Sequence, residues 1–100
     1  MSRLITAILP NHHARKVLTL LHERGIVTAN RYFARGTSII SGRQNREMEV
    51  LEVVVEEDMA EEIFEFIYDA GEIGRAGGGI IYQQHLTRST KFILPPELLK

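Results

Sequence analysis

The chain has no cysteine and no excess of charge of either sign, and each absence excludes certain kinds of site or partner. Without cysteine it has no disulfide, no thiolate metal ligand and no cysteine nucleophile. Its net charge is −1, with 12 Lys and Arg against 13 Asp and Glu. No run of Lys or Arg predicts a basic groove, so we expect no nucleic-acid partner.

Long apolar runs are also missing near the N-terminus. Only six consecutive uncharged residues, LITAIL, precede Pro10. That run is too short for a signal-peptide core or a membrane span, so we expect a cytoplasmic protein without direct membrane insertion. A chain of 100 residues predicts one domain, 1–100, with a small core. We therefore expect any small ligand to lie between subunits or under a loop.

Patterns typical of an enzyme or a metal protein are absent as well. No serine lies in a G-x-S-x-G context, and no acidic residue follows closely enough to orient His12 or His13. Adjacent helical residues point about 100° apart, so these two rings do not face one target. The residue one turn after His13 is Val17, which leaves no i, i+4 ligand pair. We expect no catalytic residue, no metal site and no prosthetic group.

Hydrophobic periodicity predicts four strands and two helices. The strands are expected at 4–9, 26–35, 47–55 and 79–85. The first helix begins at Asn11 as N-cap and ends near Arg24, with Gly25 as C-cap. The second begins after Asp58, which pairs with Glu61 in a capping box. The tail, 86–100, contains a short predicted strand at 91–94 before Pro95 and Pro96.

The helices are amphipathic, and their apolar faces predict where they pack. On the first helix that face is Ala14, Val17, Leu18 and Leu21. On the second it is Met59, Ile63, Phe66, Ile67 and Ala70. The acidic stripe opposite, Glu61, Glu62, Glu65 and Asp69, is interpreted as a solvated surface.

The order β-α-β-β-α-β is that of the ferredoxin-like split βαβ fold, in the α+β class. It predicts a four-stranded antiparallel sheet with both helices on one face. The other face is left bare in a single chain. A second subunit usually covers such a face, so we expect an oligomer.

The segment GEIGRAGGGIIY, from Gly71 to Tyr82, has five glycines in twelve residues and lies between a helix and a strand. Glycine allows positive φ and close approach of backbone N–H groups to a ligand. Such a loop can surround a phosphate, although a glycine-rich turn also occurs without any ligand.

Three segments in this order resemble the PII-like branch of the PII (nitrogen regulatory protein P-II) signal-transduction superfamily. They are the ERGI turn at 23–26, EVVVEED at 52–58, and the GEIGRAGGGII loop. The resemblance covers nearly the whole chain. It implies a non-enzymatic homotrimer that binds AMP, ADP or ATP in clefts between subunits. It also implies a T-loop at 36–47 through which the protein regulates a partner, either a transporter or an enzyme.

The resemblance also implies the site residues by position. The B-loop, 71–79, is expected to hold the phosphates through Gly71, Gly74, Gly77, Gly78 and Gly79, with Arg75 supplying charge. Gly36, Thr37 and Ser38 open the T-loop beside the cleft. Residues expected near the base are Ile8, Asn30, Glu52 and Val54. Glu52 has an alternative, since its side chain can point to solvent from the sheet face.

Departures from the family pattern limit which ligands and modifications of the family can be expected for this chain. The usual B-loop lysine is replaced by Gly79, which removes a strong phosphate contact. Either Arg75, Arg88 or Lys91 compensates, or AMP and ADP bind at least as well as ATP. The short T-loop has no Tyr, which excludes uridylylation there. Leu9 replaces the lysine expected before Pro10, so a 2-oxoglutarate–Mg-ATP site is in doubt.

Relatives in this branch are associated with carboxysomes and with inorganic-carbon or ion transporters. Bicarbonate is therefore a candidate second ligand, and Arg43 and Arg46 are candidate anion contacts. Two alternatives stay open, a protein-only adaptor trimer and a metal-binding trimer similar to CutA. An adaptor would not need glycine at 74, 77, 78 and 79 together, so the glycine count is expected to favour the nucleotide sensor.

Overall fold

The computed structural model describes residues 1–36 and 46–90. Within them, two helices and four strands follow one another in the predicted order. They are β1 (Ser2–Pro10), α1 (Asn11–Glu23), β2 (Ala29–Gly36), β3 (Arg46–Glu56), α2 (Ala60–Ala70) and β4 (Ile80–Leu86). A 3₁₀ turn, Glu57–Met59, precedes α2. The strand predicted at 91–94 lies outside the described residues, as do Thr37, Ser38, Arg43 and Lys91.

The four strands form one antiparallel sheet in the order β2-β3-β1-β4. The ferredoxin-like fold predicted from the sequence is therefore confirmed. In the centre of the sheet, Ile8 of β1 lies opposite Val50 on one side and Ile80 on the other. β1 extends beyond its predicted limits because Ser2 and Pro10 also pair with neighbouring strands.

The core lies between the helices and one face of the sheet. Alternate residues of β1, Ile5, Ala7 and Leu9, are fully buried there, as are Leu51 and Val53 of β3. Period-two alternation explains this arrangement, because successive side chains of a strand point to opposite faces. The helices contribute the buried residues Ala14, Val17, Leu21, Ala60, Ile63 and Ile67.

The predicted apolar faces of the helices are confirmed except at Met59. Leu18, Phe66 and Ala70 are partly buried against the core. Met59 is 42% exposed because it ends the 3₁₀ turn instead of lying in α2. Ala60, the first residue of α2, is the buried residue at this end of the helix.

The predicted helix caps differ from the observed ones. Asn11 is the first residue of α1, and its N-cap is Pro10. Asp58 lies within the 3₁₀ turn, so the expected capping box with Glu61 does not form, and the N-cap of α2 is Met59. Gly25 follows the C-cap of α1 with φ 83°, and its N–H donates to the carbonyl of His22 at 2.9 Å. This geometry is a Schellman ending, with glycine just beyond the cap.

The second face of the sheet is covered by neither helix. Leu4 and Ile8, which alternate with the core residues of β1, are only partly buried. Tyr32 on β2 and Tyr82 on β4 are 49% and 46% exposed. The bare face predicted for a single chain is therefore present, and it carries large apolar groups.

Candidate functional site

The glycine loop, residues 71–79, joins α2 to β4 and is built from successive turns. The N–H of Ile73 donates to the carbonyl of Tyr68 at 3.1 Å, which closes the end of α2. The N–H of Gly78 donates to the carbonyl of Arg75 at 2.9 Å. Gly77 and Gly79 have φ of 75° and 106°, a region that residues with a side chain rarely adopt. Glycine is therefore required at these two positions by the path of the chain.

Close packing against backbone carbonyls explains Gly71, Gly78 and Gly79, whereas Gly74 faces the exposed side chain of Tyr68. A Cβ at Gly78 would collide with the carbonyl of Glu72, and one at Gly79 with the carbonyl of Ile8. A Cβ at Gly74 would collide with the Tyr68 hydroxyl, and one at Gly71 would lie 2.9 Å from the Ile67 carbonyl. The glycine count therefore does not distinguish a nucleotide sensor from an adaptor, contrary to the sequence-based expectation.

The tip of the glycine loop nevertheless presents backbone donors. Among the residues that the structure describes, the N–H groups of Gly74, Ala76 and Gly77 have no backbone hydrogen-bond partner. The Arg75 side chain between them is 79% exposed. Neighbouring free N–H groups in a turn form a concave site suited to an anion. The loop tip thus offers unpaired backbone donors and one exposed positive charge.

Three basic side chains meet at Glu72, at the start of this loop. Its Oε1 lies 3.0 Å from an Arg75 guanidinium nitrogen, and its Oε2 lies 3.7 Å from both His13 Nε2 and Lys16 Nζ. Glu72 has φ 54°, the positive φ of a non-glycine residue that most often marks a special turn. This cluster was not predicted from the sequence. The available signal was that residues 13 and 16 share a face at the beginning of a helix.

Ile8 and Gly36 lie at the same end of the sheet as the glycine loop. Ile8 pairs with Ile80, directly after the loop, and its carbonyl contacts Gly79. Gly36 ends β2 opposite Arg46, at the end of β3 where Met48 pairs with Pro10. The structure thus places the expected T-loop root and the glycine loop at the same end of the sheet, next to its two outer strands, β2 and β4.

Asn30, Val54 and Arg88 lie together elsewhere, around a cleft of about 960 Å³. The cleft is also lined by Ser2 and Leu86, which pair where β1 begins and β4 ends. Ile8 lies six residue positions after Ser2 on β1, a distance of about 20 Å along a strand. Within one chain, Arg88 and the glycine loop therefore lie at opposite ends of the sheet.

Glu52 lies on the uncovered sheet face between these two groups. It is half-buried, and its cross-strand partners are Asn30 and Thr6. The pKa of the nearby Tyr32 hydroxyl is raised above its usual value. The main cause is partial burial, and the second is the negative charge of Glu52. The carboxylate therefore influences the uncovered face of the sheet.

The described ranges, 1–36 and 46–90, contain neither a membrane-spanning helix nor a metal-binding cluster. Neither helix in these ranges is both long and apolar enough to cross a membrane. In the same ranges, His, Asp and Glu side chains form no group of three or more that could hold a metal ion.

Comparison with known proteins supports the fold. No protein-family model and no curated protein matches the sequence. Among solved structures, the chain is similar to the PII protein of Arabidopsis thaliana in its crystal structure bound to citrate. The TM-score is 0.70 at 21% sequence identity, over 85% of this chain and 77% of the other. The chain therefore has the fold of a PII protein, as the sequence resemblance implied.

Proposed function

We propose that the chain is a non-enzymatic signal-transduction protein of the PII-like type, which binds an adenine nucleotide between subunits. The observation that carries the proposal is the loop tip, where Gly74, Ala76 and Gly77 have backbone N–H groups without a backbone partner and the neighbouring Arg75 side chain is exposed. These groups suit a phosphate. The shared fold with a PII protein supports the same assignment.

The proposed site takes its two halves from different subunits. One chain contributes the glycine loop, Ile8 and the segment beginning at Gly36. Its neighbour contributes the cleft with Asn30, Val54 and Arg88, because that cleft lies about 20 Å from the loop along the sheet. Glu52 lies between them on the uncovered face. That face, with its exposed tyrosines, is the surface we propose to be buried in a homotrimer.

The proposed ligands are AMP, ADP and ATP, with the phosphates on the glycine loop and Arg75 and Arg88 supplying charge. The residues expected at the loop are Gly71, Gly74, Gly77, Gly78 and Gly79, and those expected at the T-loop root are Gly36, Thr37 and Ser38. Bicarbonate is proposed as a second ligand on the family resemblance alone. A cytoplasmic location is proposed on the same basis.

The T-loop, residues 36–47, is the segment that we propose to transmit the nucleotide signal to a partner. Gly36 ends β2 beside the proposed nucleotide, so different nucleotides can favour different T-loop conformations. A protein partner, either a transporter or an enzyme, would bind one of these conformations. The ligand shifts that equilibrium only by its difference in affinity for the two conformations.

Calorimetric titration tests the proposal. AMP, ADP and ATP are each titrated into the purified protein, with and without bicarbonate. We expect saturable binding near one nucleotide per chain. Replacing Arg75 with Gln should weaken binding roughly three- to tenfold, because a charge-assisted phosphate contact is lost. Arg15→Gln, which removes the same charge from an exposed position on α1, is the matched control.

A protein-only adaptor is the second candidate, because the glycine loop does not by itself require a ligand. Packing against the carbonyls of Glu72 and Ile8 accounts for Gly78 and Gly79 without one. If no nucleotide gives heat with the wild-type protein, the nucleotide proposal is wrong. The adaptor then becomes the better account of the same fold.

A further inference from the structure

The carboxylate of Glu72 is surrounded by more positive charge than it neutralises. Lys16 and Arg75 are permanently charged at neutral pH, and both lie within 4 Å of it together with His13. Two cations against one carboxylate leave a net charge of at least +1 at the base of the glycine loop. This surplus attracts a further anion.

The contacts between Glu72 and the two α1 residues, His13 and Lys16, are long. The 3.7 Å separations from Glu72 Oε2 exceed the range of a hydrogen bond to His13 or Lys16. The side chains of Lys16 and Arg75 are 50% and 79% exposed. Both can therefore turn toward another anion at little cost, since exposed ion pairs are weak.

Glu72, in contrast, is held in place by its backbone. Its N–H donates to the carbonyl of Asp69 at 3.2 Å, and its carbonyl accepts from the N–H of Arg75 at 3.3 Å. The same carbonyl packs against Gly78. The backbone that carries Glu72 is therefore fixed at the start of the glycine loop.

We propose that Glu72 is an internal counter-ion that competes with the outer phosphates of a bound nucleotide for Lys16 and Arg75. The inference rests on the proposed nucleotide function and extends the site to α1. Without ligand, Glu72 keeps both cations at the loop. When ADP or ATP binds, Lys16 and Arg75 form ion pairs with the outer phosphates. Repulsion between Glu72 and these phosphates offsets part of the binding free energy that the ion pairs contribute.

This competition makes Glu72 a specificity-determining residue. AMP has only the α-phosphate, so it experiences less of both the attraction to the two cations and the repulsion from Glu72 than ATP does. Glu72 should consequently reduce the preference of the wild-type protein for ATP over AMP. Removing the negative charge of Glu72 should raise the affinity for ATP relative to AMP. Removing the positive charge of Lys16 should lower that relative affinity.

The test compares AMP and ATP affinities by calorimetry at one fixed ionic strength, because salt screens exposed charges. Glu72→Gln keeps the size of the side chain and should tighten ATP binding roughly fivefold, with AMP changing less than about twofold. Lys16→Gln should weaken ATP binding more than AMP binding. Matched controls are Glu65→Gln on the exposed side of α2 and Arg15→Gln on α1, neither of which should change the ratio.

The ratio of the two affinities separates this role from a structural one. A structural Glu72 would weaken both nucleotides together and lower the melting temperature. If Glu72→Gln and Lys16→Gln both leave the ATP-to-AMP ratio unchanged, the inference is overturned while nucleotide binding stands. If the wild-type protein binds neither nucleotide, the proposed function and this inference both fail.

Discussion

Arg31 donates a hydrogen bond of 2.7 Å to Glu49, across the two strands that flank the 36–47 segment. Glu49 is 1% exposed, and its second oxygen, Oε2, has no hydrogen-bond partner among residues 1–36 and 46–90. A buried carboxylate needs compensation, and here one arginine supplies it. The pair thus holds β2 to β3 close to the proposed T-loop root.

Replacing Arg31 with Ala should therefore destabilise the protein. The uncompensated Glu49 charge should lower the free energy of unfolding by about 2–3 kcal/mol, less than for a fully buried pair because the Arg31 side chain is one-third exposed. Urea denaturation measures the effect. The double variant Arg31→Met, Glu49→Leu should recover much of the loss. Equal destabilisation by Arg31→Ala and the exposed control Arg15→Ala would contradict this account.

Gly79 and Gly25 provide a matched pair for a second prediction. Both have positive φ, 106° and 83°, but only Gly79 lies against another backbone, the carbonyl of Ile8. Gly25→Ala should cost about 1 kcal/mol for the conformation alone. Gly79→Ala should cost at least about 2–3 kcal/mol, since the loop or β1 must also move. Similar urea midpoints for the two variants would disprove the close packing of the loop on β1.

Glu57 gives a prediction about pH. The Nε of Arg3 donates to Glu57 at 2.7 Å, and this hydrogen bond holds the pKa of Glu57 below its usual value. Because the pKa of Glu57 is lower in the folded state, this group stabilises the fold at pH values above the ordinary Glu pKa of about 4.3. The stabilisation is lost as the pH falls through the pKa of the folded state. Unfolding free energy measured from pH 7 to pH 3 should fall less steeply in Glu57→Gln than in wild type. Glu65→Gln, an exposed change on α2, should retain the wild-type slope.

Much of the fold could be predicted from the sequence because it depends on local periodicity. Alternation along β3 puts Leu51 and Val53 on one face, and the 3.6-residue period of α1 puts Val17 and Leu21 on another. The same alternation places Glu49 on the core face. Its buried pairing with Arg31 was missed because that contact joins two strands.

The candidate site was harder to predict because tertiary contacts define it. The carbonyls of Ile8 and Glu72 explain Gly79 and Gly78, yet nothing in the local sequence shows that they lie close. The convergence of Lys16 on Glu72 likewise depends on how α1 meets the loop. Met59 was misplaced because a 3₁₀ turn shifts the start of α2 relative to the capping pattern.

The proposed site requires two subunits, and mixed oligomers test this most directly. Two variants are made, Arg75→Glu at the exposed loop tip and Arg88→Glu at the cleft on the opposite end of the sheet. Each alone should assemble but bind no adenine nucleotide. Refolding them together in equal amounts should create intact sites in about a quarter of the interfaces, since each site takes one half from each neighbour.

Nucleotide binding by the mixture, measured by calorimetry against the two separate proteins, is therefore the decisive result. Recovery of about one quarter of the wild-type sites would establish a shared inter-subunit site, as the account predicts. Mixed oligomers that form but bind no more nucleotide than either variant alone would contradict it.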